Sequence, residues 1–181
     1  MDLDSFYGRH LQLRHLVEAG QTWRRLQIYN IPEQPETLLA LRRLAQEILD
    51  PVVDQFGPIE LTYCFASKAL SQHIRSHIDP RRDQHAGHEL GRDGRPICSR
   101  LGQAVDFRVS GAESTLVAAW IARNLPFDRL YFYGADRPLH VSIGPDEARA
   151  IITMLPTQSG RRVPRRRSAD WLTQELGQAP T

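Results

Sequence analysis

The sequence predicts an α+β fold, a small and mostly antiparallel sheet with flanking helices. Three observations lead there. A chain of 181 residues, 41% hydrophobic and 24% charged, is long enough for one domain with a core of its own. Its apolar positions recur at steps of three and four in some stretches and at steps of two in others, in the order helix, strand, helix, strand, helix, strand, strand, helix. The last two strand stretches follow each other across a tight turn, which pairs them antiparallel.

Residues 11–31 mix apolar and basic positions and read as a helix or short turns ending at Asn30, with Pro32 and Pro35 breaking the chain. From Glu36 to Phe56 the apolar residues Leu38, Leu41, Leu44, Ala45, Ile48, Leu49 and Val52 mark an amphipathic helix. Pro51 bends it or opens its final turn, and Gly57-Pro58 stops it. IELTYCF (59–65) is a β-rich run. Ser67 can cap a helix that runs to about His77, where Asp79-Pro80 ends it. Arg81 to Gly102 is polar, glycine-rich and without a usable period; so long a loop is functional or disordered. QAVDFRV (103–109) alternates as a strand, and 113–125 fits a helix. Strands at 130–133 and 139–143 flank the YGADRP turn, and Pro145 opens a helix over Asp146–Leu155. Residues 1–155 thus form a single domain, and 156–181 an arginine-rich tail with room for a short helix.

No run of about 18 apolar residues is present, so no transmembrane helix is expected. MDLDSFYGRH has no apolar signal core, and Cys64 and Cys98 are too few for a disulfide framework. Both features predict a cytoplasmic protein. Net charge is +2, but Arg161–Arg167 holds five arginines and gives the tail +3 against Asp170 and Glu175, leaving the body near neutral. Such a tail can bind phosphates of a nucleic acid, or it is a solvated and mobile end.

The histidines sort into two groups. His10, His15, His73 and His77 lie on expected helices; His73 and His77 stand at i, i+4, but no glutamate follows His73, and they read as a surface pair. Asp106 and His140 instead sit inside short apolar strands, where a polar group needs a partner. His85 and His88 lie in the glycine-rich loop that precedes the strand of Asp106. Two imidazoles and a carboxylate make a three-ligand zinc site with a fourth position open to water. Alternatively, Asp106 pairs with an arginine and His140 is a satisfied core histidine.

These residues also carry a family resemblance. The stretch NIP…LALRRLAQEILDPV…GPIELTYCFAS resembles the opening of the M15 zinc metallopeptidase domain, the D-alanyl-D-alanine carboxypeptidase or hedgehog-like fold. GQAVDFRV (102–109) is similar to its GxAxD segment, with Asp106 in the ligand place, and LHVS (139–142) to its last ligand segment, with His140. DQHAG (83–87) resembles its SQHxxG segment, which makes His85 the first ligand, followed by an insertion of some fourteen residues. The resemblance spans roughly residues 10–145. There are departures. Ser99 stands where the family's usual spacing places the histidine, so His88 or Cys98 are alternatives to His85. The family's arginine is missing from Tyr63–Ser67, and Arg100 is a replacement able to hold a substrate carboxylate. For the general base the resemblance points to an acid near the last histidine: Asp136, otherwise a turn residue, or Glu89 in the insertion.

The resemblance implies a zinc-dependent hydrolase, a carboxypeptidase-like enzyme acting on a peptide or peptidoglycan-like substrate. Two other expectations stand beside it. An altered domain of this kind can be a binding module for a protein or, through Arg161–Arg167, a nucleic acid. A metal hydrolase can also have its substrate redefined by the insertion.

Overall fold

The computed structural model describes residues 1–74 and 79–176. It is an α+β structure built on a six-stranded mixed sheet. In chain order the helices are α1 (Leu13–Val17), α2 (Gln21–Leu26), α3 (Pro35–Leu44), α4 (Asp50–Phe56), α5 (Lys68–Ser71), α6 (Ser114–Asn124) and α7 (Ala169–Leu176). The strands are β1 (Ile59–Tyr63), β2 (Gln103–Val109), β3 (Arg129–Phe132), β4 (Leu139–Ile143), β5 (Ala150–Thr153) and β6 (Arg165–Arg167). They lie in the order β1-β2-β4-β3-β5-β6. Only the β3–β5 pairing is parallel; the other neighbours are antiparallel.

Alternation divides each strand between two faces. Val105, Phe107, Leu130, Leu139, Val141 and Ile151 enter one core with Leu41, Leu44, Ile48 and Leu49 and with Val117, Ala118 and Ile121 of α6. That leaves the opposite face to Tyr63, Asp106, His140 and Tyr131, which face one another across paired strands. The apolar helix expected over 36–56 is continuous, but residues Ala45–Leu49 form a π-helical turn just ahead of Pro51. A proline cannot donate to the carbonyl four residues back, and a widened turn absorbs that misfit.

Two expectations change. The helix read over Asp146–Leu155 is a turn followed by β5, whose Ile151 and Ile152 pair with Leu130 and Tyr131 of β3. β-branched residues prefer that pleated, half-buried setting. The segment after residue 155 is built into the domain rather than free of it: β6 extends the sheet from β5, and α7 packs on α6 with Leu172 fully buried. The helix expected from Ser67 is described over Lys68–Ser71; its far end, with His77, lies outside the described residues. Among the described residues no helix is long and apolar enough to cross a membrane.

Candidate metal centre

β2 and β4 pair so that Asp106 stands opposite His140. The Nδ1 atom of His140 lies 2.7 Å from Asp106 Oδ1. The third member comes from the long loop. Its polar sequence is ordered, not loose: short 3₁₀ turns at Pro80–Arg82 and Gln84–Ala86 fold it onto the sheet. Gln84 clamps it there. Its buried amide donates to Leu101 O, Asp128 Oδ2 and Ile143 O, and its oxygen accepts from Ser142 Oγ at 2.8 Å. Asp83 caps the second turn by accepting from the His85 amide at 3.1 Å. As a result His85, only 1% exposed, is delivered to Asp106 with Nε2 3.4 Å from Oδ1.

The ligand atoms of His85, Asp106 and His140 lie within 4.8 Å of one another. This buried group can hold a metal ion. Two features of the donors support it. His85 Nδ1 lies 2.7 Å from the carbonyl oxygen of Cys64. A carbonyl can only accept, so Nδ1 carries the proton and Nε2 turns a lone pair towards the Asp106 carboxylate. Two facing lone pairs require a cation between them, a proton or a metal ion. Secondly, donors held at about 2.0–2.2 Å on one tetrahedral ion stand roughly 3.4 Å apart; His85 and Asp106 have that separation, while His140 Nδ1 and Asp106 Oδ1, at 2.7 Å, are in direct hydrogen-bond contact and would have to part to share an ion.

The charges of the three groups depend on one another. Burial pushes the Asp106 carboxyl up, but the charges and hydrogen bonds of His85 and His140 outweigh it and hold it well below the usual carboxylate range. Burial alone lowers His85, yet the Asp106 charge carries it above its ordinary value. Aromatic rings close the sides. Tyr63 lies over His85 at 3.9 Å between centroids, and Tyr131 meets His140 edge-on at 5.1 Å.

The other residues singled out in the sequence fall in different places. His88 is not in the group: its Nε2 accepts from the Gly102 amide at 3.1 Å, and its own amide donates to Thr37. Cys98 is buried outside the group as a free thiol. Glu89 is buried at the start of α3, where its carboxylate accepts from the amides of Glu33 and Gln34 and from Thr37 Oγ1. Asp136 lies in the β3–β4 turn with its side chain 86% exposed. Arg100 reaches the rim of the group, donating to Arg82 O at 3.1 Å and to Tyr131 Oη at 3.4 Å.

Sequence reasoning missed Gln84, Asp128 and Tyr131. A glutamine beside a histidine in a polar loop carries no signal of its own, and Asp128 looks like a strand-entry residue. Tyr131 was legible in principle, since pairing the two strands around the YGADRP turn sets it opposite His140. Compared with known proteins, the chain matches no family model, no curated protein and no solved structure.

Proposed function

We propose that the protein is a zinc-dependent hydrolase of peptide bonds, related in plan to the M15 metallopeptidases. The observation that carries this reading is the convergence of His85, Asp106 and His140, residues spread along the chain from position 85 to position 140, on one spot of the sheet. Order along the chain and ligand types are those of the family it resembles. A bound zinc would polarise the substrate carbonyl and bring its water's pKa towards about 7.

The chain's own residues do the rest. Cys64 O holds the His85 tautomer, while Gln84 and Asp83 fix the loop that presents it. Arg100, at the rim and bonded to Tyr131, is placed to take a substrate carboxylate through its unused donors. Of the two acids named from the sequence, the carboxylate of Glu89 is engaged by α3. Asp136 is the one left for proton exchange in this reading.

Elemental analysis of the purified protein tests it. About one zinc per chain is expected in the wild type and in His88→Ala, and none in His85→Ala or His140→Ala. A zinc-loaded wild type should then release amine from peptide substrates, in an assay that Asp136→Asn slows by about 10²-fold or more. A wild type that takes up no zinc after zinc is added back would sink the reading.

A further inference from the structure

The arginine run does not stand apart from the metal centre. One row of paired residues crosses the whole sheet: Tyr63 against Asp106, Asp106 against His140, His140 against Tyr131, Tyr131 against Ile152, and Ile152 against Arg166. Paired residues project to the same face. Arg166 therefore shares the face of the metal group, three strand spacings from His140, or about 14 Å.

Its neighbours in the run do different things. Arg167 points the other way and lies over the Trp171 ring at 4.8 Å. Arg162 donates through Nη1 to the carbonyls of Tyr133 and Met154, which ties the C-terminal hairpin to the ends of β3 and β5, and among the described residues its other donors make no hydrogen bond. Arg166 is exposed, and among the described residues no carboxylate pairs with Arg162 or Arg166. Between Arg166 and the metal group the row is half-open, with Tyr131 and Ile152 partly exposed.

We propose that Arg166, helped by the remaining donors of Arg162, is an anion subsite for the far end of an extended acidic peptide whose scissile bond lies at the metal group. This rests on the peptide-hydrolase reading above. An extended chain rises about 3.3 Å per residue, so the span corresponds to about four residues. A guanidinium fork suits a carboxylate, and among the described residues no carboxylate occupies it. A nucleic acid fits less well. Successive bases stack on successive aromatic rings, whereas from the metal group to Arg166 the row offers Tyr131 and then the aliphatic Ile152.

The test measures initial fluorescence anisotropy of three fluorescein-labelled probes at low salt. They are an octapeptide of four Gly-Glu repeats, the same peptide with Gln for Glu, and an eight-nucleotide oligothymidylate. Each is titrated with the wild type and with Arg166→Glu, and zinc per chain is measured on the same samples. The acidic peptide is expected to bind the wild type at least tenfold more tightly than its Gln counterpart. Arg166→Glu should abolish that preference with zinc content unchanged. Equal binding of the two peptides, or an undiminished preference in Arg166→Glu, overturns the subsite and leaves the zinc reading standing. Tighter binding of the oligothymidylate with the same Arg166 dependence overturns the peptide as occupant. A wild type without zinc removes the hydrolase reading, while the peptide comparison still decides whether the anion site exists.

Discussion

Glu89, named from the sequence as a general-base candidate, has a second task in the fold. An acid in a polar loop near two histidines reads as a proton acceptor, but three donors at the start of α3 converge on its carboxylate. The helix N-terminus carries partial positive charge, which favours an anion there. Glu89→Gln keeps the shape, removes the charge and turns an amide donor towards those donors. It should cost about 1–3 kcal/mol of stability, read as a lower thermal midpoint, with zinc content retained. An unchanged midpoint together with lost hydrolysis would return Glu89 to the catalytic role. Gly102 is constrained by a different term. It sits at φ +78°, and a Cβ there would lie 2.0 Å from the Ile143 carbonyl oxygen. Both sterics and backbone conformation oppose a side chain, so Gly102→Ala should lower the midpoint sharply or prevent soluble expression. Asp106 and His140 were legible as candidates because charged or polar residues inside apolar strands need a reason to be there. His85 was chosen over His88 and Cys98 from the resemblance of DQHAG; the folded loop adds that the His85 imidazole turns towards Asp106 while that of His88 turns to the Gly102 amide.

At the scale of elements, local pattern succeeded where the core face alone decides. β2, β4, α6 and the continuous helical run from α3 through α4 have clean alternation or helical spacing, and each was read close to its observed range. It failed at residues 146–155, where a proline followed by a mixed apolar stretch satisfies a helix start equally well. The deciding fact there is not local: β3 offers a free edge, and Ile151 and Ile152 complete a parallel pairing with it. The same blindness made the C-terminal segment look like a charged tail. Its arginines dominate the composition, but Leu172 is fully buried and Trp171 packs against the core. One buried side chain outweighs several exposed charges in placing a helix, because burial of a leucine is worth roughly 1.5–3 kcal/mol while a surface ion pair is worth about 0–1. Leu172→Ala should therefore cost about 2–5 kcal/mol. Chemical denaturation would register this as a lower midpoint with an unaltered slope. A change of a few tenths of a kcal/mol would mean that α7 adds little to the fold.

Across the whole molecule, the candidate metal group joins segments that the sequence keeps apart. His85 comes from the loop between α5 and β2, Asp106 from β2, and His140 from β4 beyond α6. An ion bound to all three is bound to the folded state and not to the unfolded chain, whose ligands are dispersed. Binding free energy then adds to folding free energy by mass action, by about 2.7 kcal/mol when free zinc is a hundred times its Kd. For a domain of this size each kcal/mol moves the thermal midpoint by about 2–4 °C. Saturating zinc should thus raise the wild-type midpoint by roughly 5–10 °C, and a chelator should reverse the gain. His140→Ala and Asp106→Asn should show little or no response to zinc, whereas His88→Ala, at a residue whose ring bonds the Gly102 amide outside the group, should respond as the wild type does. Scanning fluorimetry across a zinc titration separates these cases without any substrate. A wild-type midpoint that ignores zinc, in protein shown to be folded and metal-free at the start, would mean that the lone pair of His85 faces Asp106 across a proton rather than an ion.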